Sequence, residues 1–194
     1  MTTLKVLIPG YAIDKGDYWL ASSSTTLISA GDIKIIVDPG TNRSLLLQKL
    51  SEENLKVEDI NYVFITHYHP DHNLLMGIFT KATVIDDTMC YQDDKQWDHE
   101  FLIPNTDLKI IKTPGHDQFH SSLIVPTEEG NILVAGDVFW WPDDEEQKTD
   151  TKSLLNHTDP FEKNHQQLVD SRQKVLEIAD WIVPGHGKMF KVEK

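Results

Sequence analysis

The stretch that decides the reading of this chain is Thr66-His67-Tyr68-His69-Pro70-Asp71-His72, which packs three histidines and an aspartate into six consecutive positions. Neutral imidazole nitrogens beside a hard carboxylate oxygen are the donors that a divalent transition metal takes. Two more of the nine histidines, His116 and His186, each close a Pro-Gly-His turn, and Asp137 lies between them in the chain. What precedes each candidate ligand strengthens the pattern. Tyr62–Thr66, Leu108–Lys112, Asn131–Gly136 and Trp181–Val183 are short, apolar and rich in β-branched residues, and each is closed by a turn, as buried strands are. The spacing therefore predicts four strands that deliver ligands from their carboxyl ends, where α/β sheets bind their ligands.

In order along the chain, THYHPDH at Thr66–His72, TPGH at Thr113–His116, AGD at Ala135–Asp137 and VPGHG at Val183–Gly187 resemble the motifs of the metallo-β-lactamase superfamily. Ser24–Gly40, read as two strands around Gly31-Asp32 and closed by Val37-Asp38-Pro39-Gly40, is similar to the first motif of that family. The resemblance spans nearly the whole chain. Within that family the chain resembles the branch of metallo-β-lactamase domain-containing protein 1, through the AGDVF segment at Ala135–Phe139 and the VPGHG near the C-terminus.

The resemblance implies an α/β fold of αββα sandwich type, a single hydrolase domain over residues 1–194, and a two-metal site. By that likeness His67, His69 and His116 would hold one metal, Asp71, His72 and His186 the other, and Asp137 would bridge them. Zinc is the expected occupant of this thiolate-free set, with manganese or iron as alternatives. A water between two cations falls to a pKa of roughly 7 and supplies hydroxide at neutral pH, with Asp71 orienting it. Asp38 is implied as the partner of a ligand histidine's other ring nitrogen, although an Asp before Pro-Gly is also a plain turn former.

Composition narrows the class of partner. The formal charge is −13, and the acidic runs Asp93-Asp94 and Asp143–Glu146 have no basic counterpart. Nucleic-acid affinity rests largely on Lys and Arg neutralising phosphates, so a long RNA or DNA is disfavoured and a small-molecule substrate favoured. No apolar run approaches membrane-spanning length, and Met1–Gly10 lacks the pattern of a signal peptide. The single cysteine, Cys90, excludes an internal disulfide and is expected in a reducing cytoplasm. Oligomeric state stays open.

Three activities compete for these residues. A two-metal hydrolase of small esters, thioesters, lactones or amides suits the acidic balance. A phosphodiesterase or ribonuclease is favoured by the branch resemblance and opposed by charge. A mononuclear iron persulfide dioxygenase would use only His67, His116 and Asp137 and leave Asp71, His72 and His186 idle.

Beyond the ligands, His120 is a candidate proton donor to substrate, or a histidine merely hydrogen-bonded at the start of the next strand. Trp140 and Trp141 follow Asp137 on a polar loop. Neighbours on extended backbone point oppositely, so one is expected to face the pocket and the other to pack inward. Leu4–Ile8 and Ala82–Ile85 read as strands and Arg43–Leu50 as a helix. Asp159-Pro160-Phe161-Glu162 reads as a helix start capped by Asp159. Phe161, His165, Leu168, Arg172, Val175 and Ala179 then form a core-facing stripe, with His165 a satisfied inner-face histidine.

Overall fold

The computed structural model describes residues 2–193. Its N-terminal half runs β1 (Thr2–Ile8), the hairpin β2 (Tyr11–Asp14) and β3 (Trp19–Ser22), then β4 (Thr25–Ala30) and β5 (Ile33–Val37). The helix α1 (Arg43–Glu52), β6 (Tyr62–Phe64), the short α2 (Pro70–Asn73), β7 (Thr83–Ile85), β8 (Met89–Gln92) and β9 (Lys95–Asp98) follow. The C-terminal half contains β10 (Lys109–Lys112), β11 (Ser121–Thr127), β12 (Gly130–Trp140), α3 (Thr151–Leu155), α4 (His165–Ile178), β13 (Trp181–His186) and β14 (Phe190–Lys191). Seven strands form one sheet in the order β1-β4-β5-β6-β7-β8-β9, and five form a second in the order β10-β11-β12-β13-β14. The β2–β3 hairpin stands apart as its own two-stranded unit.

Period-two alternation along the strands builds the layers. Ile35, Val37 and Phe64 of the first sheet meet Ile110, Leu123, Val125, Ile132, Val134 and Val183 of the second in a central core. The residues between them point outward. Ile36, Val63 and Ile65 pack under Leu46 and Leu50 of α1, while Leu133, Ala135 and Ile182 pack under Leu154 of α3 and Val175 of α4. Helix, sheet, sheet, helix is the expected αββα sandwich. No helix among the described residues is long and apolar enough to cross a membrane.

Capping explains where the helices begin. Asn42 accepts from the Leu45 backbone N–H at 3.2 Å to open α1, and Asn164 accepts from Gln167 N–H at 3.1 Å to open α4. The second cap corrects the sequence expectation, because α4 begins six residues after Asp159. Leu168, Arg172, Val175 and Ala179 are buried as the stripe predicted. Phe161 lies before the helix and is half exposed. His165 faces solvent and bonds the Glu162 carboxylate at 2.9 Å, so it is not an inner-face residue.

Candidate metal centre

All seven predicted ligand positions converge at one edge of the sandwich, in two groups whose donor atoms each lie within 4.8 Å of one another. The first is His67, His69, His116 and Asp137, and the second is Asp71, His72 and His186. Both sheets contribute. His67 leaves the end of β6, the Pro70–Asn73 turn of helix carries Asp71 and His72, and His186 ends β13. Asp137 is the exception to strand-end delivery, since β12 continues through it to Trp140. The pairing of β12 with β13 is irregular between Val134 and Gly136 and again between Gly136 and Trp140, a distortion that re-aims side chains as bulges do.

Asp137 straddles the two groups. Its Oδ2 lies 3.3 Å from His116 Nε2 and 3.8 Å from His67 Nε2, and its Oδ1 lies 3.1 Å from His72 Nε2 and 3.9 Å from His186 Nε2. Asp71 Oδ2 is 3.1 Å from His186 Nε2. The Pro-Gly-His turns allow this crowding. A Cβ on Gly185 would sit 1.7 Å from Asp137 Oδ1, and one on Gly115 would sit 2.2 Å from the Leu168 backbone nitrogen of α4. Glycine there lets the chain approach the carboxylate and the helix.

The outer ring nitrogens reveal how the histidines are oriented. His67 Nδ1 faces Thr66 Oγ1 at 3.0 Å, and His72 Nδ1 faces Asp38 Oδ2 at 2.8 Å. His116 Nδ1 faces Asp159 Oδ2 at 2.6 Å, and His186 Nδ1 faces the Tyr11 carbonyl at 3.0 Å. Each partner accepts a proton, because Thr66 Oγ1 spends its own hydrogen on Asp38 Oδ2 at 2.7 Å. Four imidazoles therefore carry hydrogen on Nδ1 and turn a bare Nε2 lone pair inward, the arrangement that orients metal ligands. His69 presents Nδ1 instead, 3.1 Å from His116 Nε2.

These residues fit a bound cation. His67 Nε2, His72 Nε2 and Asp137 Oδ1 are buried without a hydrogen-bond partner; the 3.1 Å approach of the last two is not oriented as a hydrogen bond. Buried polar atoms left in that state are costly unless something binds them. The local potential agrees. Burial opposes a charged His72, yet Asp137 and Asp38 outweigh it and raise its pKa well above the ordinary value, so without a cation a proton would take the place of a metal on Nε2. For Asp137, burial favours the neutral acid, but His72, His186 and His116 pull its carboxyl well below the usual value. Asp137 and Asp38 thus supply negative charge where a metal ion would bind.

Sequence reasoning missed Asp159, the buried partner of His116, because a local helix-cap pattern explained it fully. It missed Thr66, which accepts from His67 and donates to Asp38. The Asp38 carboxylate also takes the Thr66 backbone N–H at 2.8 Å. His120 does not reach the site cavity. It is fully buried, its ring centroid 4.9 Å from that of His67, with Nδ1 at 2.9 Å from Thr113 Oγ1. Burial, then the neighbouring His116, push its pKa down to about 3.

The cavity, about 380 Å³, opens beside the ligands. Trp140 lines it, while Trp141 packs against Phe190 in the outer core, which is the division of labour expected for adjacent residues on extended chain. Trp19 from β3 and Phe161 complete its wall, and neither was anticipated.

Over its whole length the chain is similar to metallo-beta-lactamase domain-containing protein 1 of Xenopus laevis, 32% identical over 203 residues that cover 99% of this chain and 82% of the relative. The chain belongs to the metallo-beta-lactamase superfamily. The family model of that description matches residues 18–106, from the residue before β3, across the His67–His72 cluster, to beyond β9. Among solved structures, a Thermotoga maritima protein described as a metallo-beta-lactamase superposes with a TM-score of 0.71 at 21% identity, covering 98% of this chain and 99% of the other. AidC, a dizinc quorum-quenching lactonase solved with a product, superposes with a TM-score of 0.63 at 14% identity, covering 88% and 74%. At such identities these likenesses establish the metallo-β-lactamase fold. Membership and the histidine–aspartate cluster together mark the chain as a metal-dependent hydrolase of the superfamily.

Proposed function

We propose that this protein is a two-metal hydrolase of small carbonyl substrates: esters, thioesters, lactones or amides. The observation that carries the reading is the Asp137 carboxylate, with one oxygen turned to each donor group. His67, His69 and His116 would hold one ion, Asp71, His72 and His186 the other, and Asp137 would serve both. Divalent ions bound there, zinc by preference, would supply an acidified water and polarise the substrate carbonyl.

The chain's own residues do the rest. Asp38, Asp159, Thr66 and the Tyr11 carbonyl hold four imidazoles in the tautomer that leaves Nε2 free. Asp71 is partly exposed on the cavity wall, where it is suited to accept a hydrogen bond from an attacking water and so aim it. Trp140 and Phe161 exclude bulk water from one side, their rings 5.6 Å apart. The cavity size suits a small molecule. The acidic balance of the chain weighs against a phosphodiester polymer. A single-iron site would leave the second donor group without a task.

The test is metal content by elemental analysis together with hydrolysis of p-nitrophenyl acetate, with Asp71→Ala as control. Two ions per chain and turnover that falls at least about a hundredfold in the variant are expected. One iron per chain, or no turnover from protein holding two ions, would sink the reading.

A further inference from the structure

The cavity wall says which substrates the site accepts. Apart from five of the candidate ligands, it is made of Ala12, Trp19, Ala21, Pro70, Trp140 and Phe161. Among the described residues it includes no Lys or Arg, and no Ser, Thr, Asn, Gln or Tyr either. The neighbouring chain is mostly acidic: the β2–β3 hairpin carries Asp14 and Asp17 against Lys15, His116 is followed by Asp117, and Glu162 and Lys163 follow Phe161. A carboxylate or phosphate remote from the reacting carbonyl would therefore meet a wall of rings with no cationic side chain, where indole N–H groups replace little of its hydration.

The aromatic residues are arranged as a cradle. Trp140 is buried at its base, its ring 5.6 Å from that of Phe161 and 6.1 Å from that of His186. Trp19 and Phe161 stand at the rim, 49% and 50% exposed, on two segments far apart in sequence. Exposed large aromatics bordering a cavity carry a cost in water that an apolar occupant relieves. The cradle also adjoins the second donor group, so a chain lying in it begins beside the reacting centre.

Resting on the hydrolase reading above, we propose that the substrate is an uncharged ester or lactone whose apolar acyl group lies between Trp19 and Phe161 on Trp140. The acyl group takes this wall because the leaving oxygen must receive a proton, and the cradle offers no hydroxyl, amide or cationic side chain to give one; that oxygen faces the open mouth. In the reaction the acyl C–O bond breaks, water adds its oxygen to the acyl carbon, and its protons are shared between the released alcohol and the medium. Substrates bearing a second anionic group, such as a carboxylate next to the reacting ring or a peptide-like acidic tail, are excluded by the same wall.

The experiment compares p-nitrophenyl acetate, butyrate and hexanoate with the ω-carboxylated counterpart of the last, using metal-loaded protein. The kcat/KM is expected to rise about threefold per added methylene. The ω-carboxylate is expected to fall at least about tenfold below its neutral isostere. The hexanoate-to-acetate ratio should collapse in Trp19→Ala and in Phe161→Ala, which truncate half-exposed side chains and spare the core. A readout independent of turnover is quenching of tryptophan fluorescence by methyl ketones of increasing length. Affinity should rise with length in the wild type and lose that dependence in Phe161→Ala, which keeps every tryptophan. Turnover that is flat with chain length, or that prefers the ω-carboxylate, would overturn this specificity and leave the hydrolase reading standing. Absence of turnover on every ester from protein holding its metals would overturn both.

Discussion

His116 and Asp159, 43 residues apart in sequence, are joined through Nδ1 and Oδ2 at 2.6 Å, with both side chains buried. Burial alone would raise the Asp159 carboxyl, but the bond to His116 outweighs it and holds the carboxyl below its ordinary value. An ionised acceptor at that position keeps hydrogen on Nδ1 and leaves Nε2 free to face Asp137. Asp159→Asn is expected to weaken metal binding by about 10- to 100-fold while leaving the fold intact. A chelator-competition titration checks this, and unchanged affinity would reduce Asp159 to a turn-forming role.

Asp137→Ala is expected to deplete both metal positions, whereas His186→Ala should empty mainly one. Gly185→Ala should mimic the first, because its Cβ would collide with Asp137 Oδ1 at 1.7 Å. Elemental analysis of the three purified variants decides the matter. Two ions retained in Asp137→Ala would show that the carboxylate does not bridge.

Arg172 is fully buried on α4 and donates to the Val138 carbonyl at 3.1 Å and the His157 carbonyl at 2.6 Å. His157 in turn bonds the Trp140 carbonyl at 2.8 Å, so one guanidinium ties the helix to the stretch of β12 that follows Asp137. Arg172→Met keeps the apolar stem and strands both carbonyls, at a cost of about 3 kcal/mol. For a chain of this size the melting temperature should drop by roughly 6–12 °C. A change under about 2 °C, within what a surface substitution produces, would contradict the tie.

Asp86, bonded to the Tyr68 between His67 and His69, supplies a pH signature from outside the ligand set. Burial raises its carboxyl, but the Tyr68 hydroxyl and the backbone N–H groups of Met89 and Thr88 outweigh burial and bring it below its ordinary value. A carboxyl depressed by folding adds stability above its unfolded pKa, near 3.9 for Asp on the usual scale of about 3.5–4, and loses it as pH falls through the folded value. The gap in melting temperature between wild type and Asp86→Asn should therefore be full at pH 7 and shrink below about pH 4. A gap that is constant with pH would refute the assignment.

Local sequence determined a great deal. The alternation in Ile35-Ile36-Val37 and Ile132-Leu133-Val134-Ala135 assigned one face to the central core and one to the helices, because strand geometry leaves no other choice. The ligand histidines were legible because their donor chemistry and Pro-Gly turns are written in adjacent residues. Patterns that satisfy a local rule were misread wherever a distant group made a stronger claim. Asp159 still accepts from Phe161 N–H at 3.0 Å through Oδ1, as a cap would, yet its other oxygen belongs to His116 and the helix waits for Asn164. Trp19 has no local signal at all; the hairpin brings it to the cavity. Local sequence settles periodicity, capping and donor type, since these depend on neighbours within a few residues. Which buried atoms share a cavity, which carboxylate orients which imidazole and which aromatic rings form the wall depend on long-range packing, and only the folded chain decides them.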